Sequence, residues 1–336
     1  MVIKEYAHAI IGCGRIAPIH IKALQDNGVS SILLCDIDTR KAKALTPAGD
    51  QYFNDYQTIP LDMLDSVSVC TGHDSHIEIS KYFLSRGVSV LCEKPLSVPS
   101  YEIGDFLKIC RRDKSTIFSV VAQHRYDSIV KFVKKLISSG RLGQIVLSDF
   151  TLYCNRPNSY YSESSWRGKK ESEGGSVLIN QAYHLLDLIV FLFGTPQDTH
   201  SFLSTHFKKN VIETEETACA FIEYPTHSVT LKATVCSNEL WYTRIDIVGT
   251  LGMISFSIDE PFRIFEYSKS IEEDVTFFLR KDKKLANKKG DLFYFGHSHE
   301  LQIRAFIKSV QSRERILLPS IEEIEKTQNL IQKLYL

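Results

Sequence analysis

Residues Ala7 to Ala17 constrain this chain more than any other segment. A short apolar run, Ala7-His8-Ala9-Ile10-Ile11, ends in Gly12-Cys13-Gly14-Arg15-Ile16-Ala17, and a helical pattern follows from Arg15 to Asn27 with Gly28 as its stop. Gly-x-Gly-x-x-Ala where a strand meets a helix suits a phosphate-binding turn. Gly12 permits the tight turn, Gly14 lets a pyrophosphate approach the backbone, and Ala17 lets the helix pack closely on the sheet. The amides at Arg15 and Ile16 then face the phosphates from the helix N-terminus.

A second β-rich run, Ser31 to Cys35, leads into Asp36 about 20 residues after the glycines. That carboxylate can accept from both hydroxyls of an adenosine ribose and would repel a 2′-phosphate, which points to NAD over NADP. Arg40, four residues on, can pair with such a phosphate and is the counter-indication. A glycine turn with a surface aspartate in another α/β fold is the plainer alternative.

The alternation continues with strands at Val67–Thr71, Val88–Cys92 and Thr116–Ala122 and a helix over His76–Arg86, as expected of βαβ units on a parallel sheet. After Gln123 the pattern changes. A helix over Ser128–Ser139, a strand over Gln144–Cys154, a polar aromatic loop and a strongly apolar helix over Ser176–Phe193 precede β-rich runs from Asp198 to Leu279. Helical patterns over His299–Ser312 and Ser320–Tyr335 close the chain, the second with Ser320 as N-cap.

The fold expected is therefore α/β: a Rossmann-type doubly wound parallel sheet over residues 1–123, and a second α+β domain over 124–336 built on a large, mostly antiparallel open sheet. Its 336 residues suit two domains at roughly 100–200 residues each. One broad face of the second sheet is expected to form a homodimer or homotetramer.

Composition narrows the partners. Forty basic and forty acidic residues balance, so no general attraction to nucleic acid exists. The longest basic cluster, Arg280 to Lys289, is interrupted by Asp282 and apolar residues and reads as a solvated loop, with a phosphate or partner contact as the alternative. No apolar run of about 18 residues is present, and Met1 to Tyr6 lacks the pattern of a signal peptide. Eight cysteines without a Cys-x-x-Cys pair fit reduced thiols in a cytoplasmic protein, with neither a disulfide framework nor a zinc site. His297 and His299 lack a third ligand nearby, so no metal is expected.

Three further segments carry a resemblance. Val88 to Leu96 places Glu93-Lys94-Pro95 at a strand end; Cys70-Thr71-Gly72-His73-Asp74-Ser75-His76 ends the neighbouring strand; and Gly174-Gly175 opens a helix carrying Asn180-Gln181-Ala182-Tyr183-His184 and Asp187. With the two-domain plan, they resemble the glucose-fructose oxidoreductase / inositol dehydrogenase (Gfo/Idh/MocA) family of NAD(P)-dependent sugar oxidoreductases along nearly the whole chain.

The resemblance implies that Lys94 and His184 lie beside the nicotinamide and the reacting carbinol; the alternatives are a solvated loop lysine and a satisfied core histidine. Alcohol oxidation needs a group to take the hydroxyl proton, and desolvation beside a nicotinamide cation lowers a lysine's pKa enough for that role. His184 can hold the hydroxyl, relay the proton or be the base. Many members carry Asp where this chain has Asn180; an amide is no base, so Asn180 is expected to orient hydroxyls. Thr71 and His76 are implied on the nicotinamide side, with a helix-capping or core role as the alternative for both. Glu93 can bond a nicotinamide ribose or pair with Arg125, which falls in a segment, Gln123 to Tyr126, resembling one near substrate, with an interdomain structural role as the alternative.

The loop Asn155-Arg156-Pro157-Asn158-Ser159-Tyr160-Tyr161 through Trp166-Arg167-Gly168 is similar to that of members that oxidise C3 of UDP-N-acetylglucosaminuronic acid. Arg156 and Arg167 can clamp a phosphate or carboxylate, and Tyr160, Tyr161 and Trp166 can stack on a base or sugar, with Asn180, Gln181 and Arg125 completing the substrate set. A subunit contact is the alternative use of this loop. Rival functions are a keto-sugar reductase, a dehydrogenase of a free sugar or inositol, and a non-catalytic NAD-binding sensor or repressor.

Overall fold

Strands buried on both faces cannot alternate polar and apolar residues, and Ala7–Ile11 does not: all five residues are buried. The computed structural model describes residues 6–47, 51–112, 115–259, 263–282 and 298–336. The chain divides into two units, Met1–Ala122 with His299–Glu325, and Gln123–Ser298 with Lys326–Leu336.

In the first unit, β1 (Ala7–Ile11), α1 (Ala17–Asp26), β2 (Ser31–Cys35), α2 (Thr39–Leu45) and β3 (Tyr52–Phe53) lead to β4 (Ser66–Val69), α3 (His76–Leu84), β5 (Ser89–Cys92), α4 (Gly104–Arg112) and β6 (Phe118–Val120). The strands pair in parallel in the order β3-β2-β1-β4-β5-β6. The chain runs outward from β1 through β2 to β3 and then crosses back to β4 on the other side of β1, so a crevice opens beyond the carboxyl ends of β1 and β4, where open α/β sheets bind ligands. Leu24, Val67, Phe83, Leu91, Leu107 and Phe118 fill the core around the sheet.

The second unit contains α5 (Ser128–Ser138), β7 (Ile145–Asn155), α6 (Asn158–Ser162), α7 (Tyr183–Phe193), β8 (Asp198–Ser204), β9 (Thr217–Glu223), β10 (Ser228–Thr234), β11 (Cys236–Gly249), β12 (Met253–Ser257), β13 (Arg263–Tyr267) and α8 (Glu272–Asp282). Its sheet runs β13-β12-β11-β7-β10-β9-β8, with β10 and β7 parallel and the other pairs antiparallel. Ala218, Ala220 and Ile222 of β9 turn inward while Cys219, Phe221 and Glu223 turn out, so one face of the sheet covers the core. Helix α7 is apolar nearly all round and correspondingly buried.

Two expectations change here. The helix expected over Ser176–Phe193 is broken: Val177–Gln181 forms a π turn, with Ala182 N donating to Val177 O at 2.8 Å, before α7 begins. Apolar periodicity reads straight through such a bulge. The region to Leu279, expected as β-rich, ends instead in α8. Glu272, Glu273 and Asp274 favour that helix's N-terminus, Arg280 and Lys281 favour its C-terminus, and Val275 with Phe278 forms its buried stripe. Residues 283–289 of the basic cluster lie outside the described residues, as do Gly296, His297 and residues 1–5.

The last helices also redraw the boundary expected at 124–336. Helix α9 (His299–Ser312) belongs to the first unit. Gln302 accepts from Ala122 N and donates to Val120 O, both at 2.9 Å, closing the free backbone edge after β6. Arg315 donates to Phe118 O at 2.8 Å. Helix α10 (Ile321–Leu334) starts with a capping box: Glu323 N donates to Ser320 Oγ, and Ser320 N to Glu323 Oε2. The division between units falls within α10, after Glu325. Among the described residues, no helix is long and apolar enough to cross a membrane.

Candidate active site

In the first unit, Gly12 adopts φ +96°, and a Cβ there would stand 2.6 Å from Cys70 O. Only glycine lets β1 turn this close to the end of β4. Gly14 is exposed, and nothing lies within 4 Å of where its Cβ would be, so the turn offers bare backbone to a ligand. Ile16 provides no side-chain cap to α1, and the helix's first turn is internally bonded, with Ala17 N donating to Gly14 O at 3.2 Å, Ile19 N to Ile16 O at 3.0 Å and Pro18 carrying no N–H, so the turn before the helix is what meets an anion. Asp36 accepts from Cys13 N at 2.7 Å and Asp38 N at 2.8 Å, which fixes its carboxylate beside the turn. Arg40 is paired with Asp38 at 2.9 and 3.0 Å.

At the ends of β4 and β5, Ser75 donates its hydroxyl to Thr71 Oγ1 at 2.8 Å. His76 is fully buried, with Nδ1 2.7 Å from Pro95 O and Nε2 3.2 Å from Thr71 O. Burial drives its pKa down, so the ring is neutral with one N–H, which the shorter contact to Pro95 takes. It braces the two loops from inside, the core alternative of the sequence reading. Half-buried Lys94 follows β5, and its backbone N donates to Glu93 Oε2 at 3.1 Å.

Glu93, expected on a ribose or on Arg125, has a partner within the first unit. Its Oε1 lies 2.9 Å from Nε2 of His20, a residue the sequence reading missed, on the buried face of α1 with Ala17, Ala23 and Leu24. Burial by itself would raise the Glu93 pKa, but the bond and charge of His20 and the nearby His299 and Lys94 outweigh it and bring the carboxyl to about 2. Behind His20, Ser68, His8, Ser66 and Tyr6 continue one hydrogen-bonded chain at 2.6–2.9 Å. Burial lowers the His8 pKa to about 3, so this interior histidine is neutral.

In the second unit, buried carboxylates hold the π turn. Glu215 Oε1 accepts from Ser176 N, Leu178 N and the Tyr335 hydroxyl at 2.7–3.0 Å, while Ile179 N donates to Tyr335. Glu173, with no exposure, accepts from Gly168 N and Asn180 Nδ2. Burial raises both carboxyls, Glu173 to about 7. The signal for Glu173 was an acid immediately before Gly174-Gly175.

The expected substrate residues separate into two groups. The Tyr160 hydroxyl accepts from Asn180 Nδ2 at 3.4 Å and Gln181 Nε2 at 3.2 Å, and its ring faces Arg167 at 4.2 Å and Arg156 at 5.1 Å. Trp166 lies 5.5 Å from the Arg167 guanidinium, and Arg167, Trp166 and Tyr160 are half-buried. Gln123 Nε2 lies 3.1 Å from His184 Nε2, and His124 packs edge-on against the same ring at 4.8 Å.

Three placements turn inward. Arg125 makes two 2.8 Å bonds to Asp187, which also accepts from Thr327, so its fork is occupied by a buried carboxylate. Tyr161 is buried, with its hydroxyl on Ser176. Arg156 is buried and donates twice to Gln181 Oε1, at 3.0 and 2.6 Å, so it orients that amide directly. Among the described residues, no group of three or more His, Cys, Asp or Glu is placed to hold a metal.

Residues 7–121 match the family model for an oxidoreductase family with an NAD-binding Rossmann fold, and residues 130–255 match that of the GFO/IDH/MocA C-terminal domain. The chain belongs to the Gfo/Idh/MocA oxidoreductase family. Its glycine turn and Asp36 fit the dinucleotide that the family's first domain takes. An uncharacterized oxidoreductase from Schizosaccharomyces pombe is 29% identical over 65% of this chain and 60% of its own length. Inositol 2-dehydrogenase from Rhizobium meliloti is 27% identical over 55% of this chain and 54% of its own. The chain thus spans about half to three-fifths of the length of these two relatives. The crystal structure of the WlbA dehydrogenase from Bordetella pertussis, in complex with NADH and UDP-GlcNAcA, shares the fold with a TM-score of 0.82. It has 24% identity, over 98% of this chain and 95% of that one.

Proposed function

We propose that this protein is an NAD-dependent dehydrogenase that oxidises a secondary hydroxyl, at C3, of a nucleotide-linked sugar such as UDP-N-acetylglucosaminuronic acid. The observation that carries the reading is the array on Tyr160. Two guanidinium groups flank its ring and two amides meet its hydroxyl, which combines anion-binding groups with hydroxyl-binding ones. The shared fold of the WlbA complex supports it.

In this reading Lys94 takes the hydroxyl proton as the carbinol C–H bond breaks, leaving a ketone and one proton on the enzyme. Bound NAD supplies the hydride acceptor. His184 holds the reacting oxygen, and Asn180 and Gln181 orient neighbouring hydroxyls. Thr71, Glu93 and Asp36 line the cofactor, with Asp36 selecting against a 2′-phosphate. Arg167 is the phosphate or carboxylate contact, while Arg156 acts by fixing Gln181.

A free sugar or inositol is the second reading, favoured because Arg156 is committed to Gln181 and because an inositol dehydrogenase is among the relatives. NADH formation scored on a panel of UDP-, dTDP- and GDP-sugars beside free sugars and inositol separates the two. Turnover confined to free polyols overturns the nucleotide-sugar reading. Lys94→Ala should abolish turnover while NADH binding persists, and full turnover in that variant removes Lys94 from the chemistry.

We also propose a homodimer or homotetramer through the outward face of the second sheet, in keeping with exposed Phe202, Phe221 and Leu147 there. A monomer at micromolar concentration in light scattering would refute it.

A further inference from the structure

The reaction proposed above makes no use of Glu173, a fully buried carboxyl one hydrogen bond from Asn180. A primary amide offers a donor on one side and an acceptor on the other, and the two exchange by rotation of its last torsion. An ionised carboxylate only accepts, so the amide nitrogen must face it. Asn180 Nδ2 indeed lies 2.5 Å from Glu173 Oε1, while Gly168 N–H lies 2.5 Å from Oε2. The Tyr160 hydroxyl stands on the same nitrogen, at 3.4 Å. Oδ1 of Asn180 is therefore directed away from the carboxylate.

We propose that Glu173 is a positioning residue that sets which atom of Asn180 a substrate meets. Ionised, Glu173 turns Oδ1 of Asn180 outward as an acceptor for a sugar hydroxyl. Protonated, its O–H donates to that oxygen, and the amide rotates to offer Nδ2–H outward instead. This rests on the reading of Asn180 as a substrate residue.

The groups facing Glu173 place the switch near neutrality. Burial raises its pKa to about 7; the bonds from Gly168 and Asn180 and the charge of Arg167 oppose the rise, and Glu215 adds to it. Tyr161 and Tyr335 also face it, each with its own pKa raised by burial. The same geometry accounts for an amide at position 180. Two carboxylates at that separation cannot both ionise, so an aspartate there would trap a proton between them.

Infrared difference spectra of substrate-free wild type against Glu173→Gln should show a carboxylic acid band that titrates near pH 7. A midpoint in the ordinary carboxylate range, about 4, overturns the proposal whether or not the substrate is known. In turnover, the wild-type KM for the hydroxyl substrate should fall about tenfold as pH rises through 7, with kcat little changed. In Glu173→Gln, Gly168 N–H takes the amide oxygen and the new NH2 faces Asn180, so KM should stay high and flat with pH. Adding Asn180→Asp to that variant restores an acceptor on both sides and should restore the low KM.

A Glu173→Gln protein with the wild-type KM and pH profile overturns the proposal. If that variant fails to fold, Asn180→Asp alone serves. Its carboxyl pair should hold one proton with a midpoint above 7, and no upward shift counts against the proposal. Absence of turnover on every polyol and sugar nucleotide defeats the function proposed above, and the infrared midpoint then decides the role of Glu173 separately.

Discussion

Alanine at Gly12 and at Gly14 should produce opposite phenotypes, although both positions belong to one motif. At Gly12 the added methyl would meet Cys70 O at 2.6 Å, Cys70 C at 2.7 Å and Thr71 N at 3.0 Å, all backbone atoms at the end of β4. They can yield only if the strand end moves. The positive φ costs about 1–2 kcal/mol for a residue with a Cβ, and the overlap about 1–3 kcal/mol more. Together, about 2–5 kcal/mol corresponds to roughly 5–15 °C in Tm for a domain of this size. At Gly14 nothing lies within 4 Å, so Gly14→Ala should melt like wild type without cofactor. It should lose about tenfold or more in NADH affinity, because the methyl stands where the pyrophosphate approaches. Thermal unfolding of cofactor-free protein and fluorescence titration with NADH read the two effects separately. A Gly12→Ala protein that melts with wild type, or two variants that melt alike, would refute the assignment of one glycine to the fold and the other to the ligand.

Asp187→Ala should destabilise the protein by about 3–5 kcal/mol in denaturant titration, because the buried Arg125 loses its carboxylate; a loss within about 1 kcal/mol would mean water reaches that guanidinium. Asp36→Ser should weaken NAD binding about ten- to hundredfold by losing charge-assisted bonds, and narrow the preference over NADP; an unchanged ratio of kcat/KM for the two cofactors contradicts the ribose role. Glu93 is held below its ordinary 4.5, at about 2, so its contribution is present above pH 4.5 and lost as pH falls from there through 2. Glu93→Gln should therefore be less stable at pH 7 and show a shallower loss of stability across that acid range, and parallel acid limbs would count against the His20 pairing.

The cofactor cradle was legible in the sequence because its parts are local. A strand, a turn glycine, an open glycine and a helix start within a dozen residues, and the acid follows one strand later. Alternating strands and helices likewise predicted the parallel sheet, and the β-rich runs after Asp198 predicted the mostly antiparallel one. The breaks in pattern were less legible. Ser176–Phe193 is apolar throughout, so nothing in its period marks the π turn, and α8 was hidden among strand-like aromatics although its charges follow the helix dipole.

By itself, the sequence determined the order of elements, the glycine turn, the carboxylate that follows it and the placement of Lys94 at a strand end. These depend on spacing and on backbone conformations that few residue types adopt. Tertiary structure decided which polar groups are spent on one another: His20 with Glu93, Asp187 with Arg125, Gln181 with Arg156, Asn180 with Glu173, and Gln302 with the edge beyond β6. Partners separated by 7 to 180 residues meet only when the fold closes. Burial then compels each pairing, because a polar group removed from water without a partner costs more than a hydrogen bond returns.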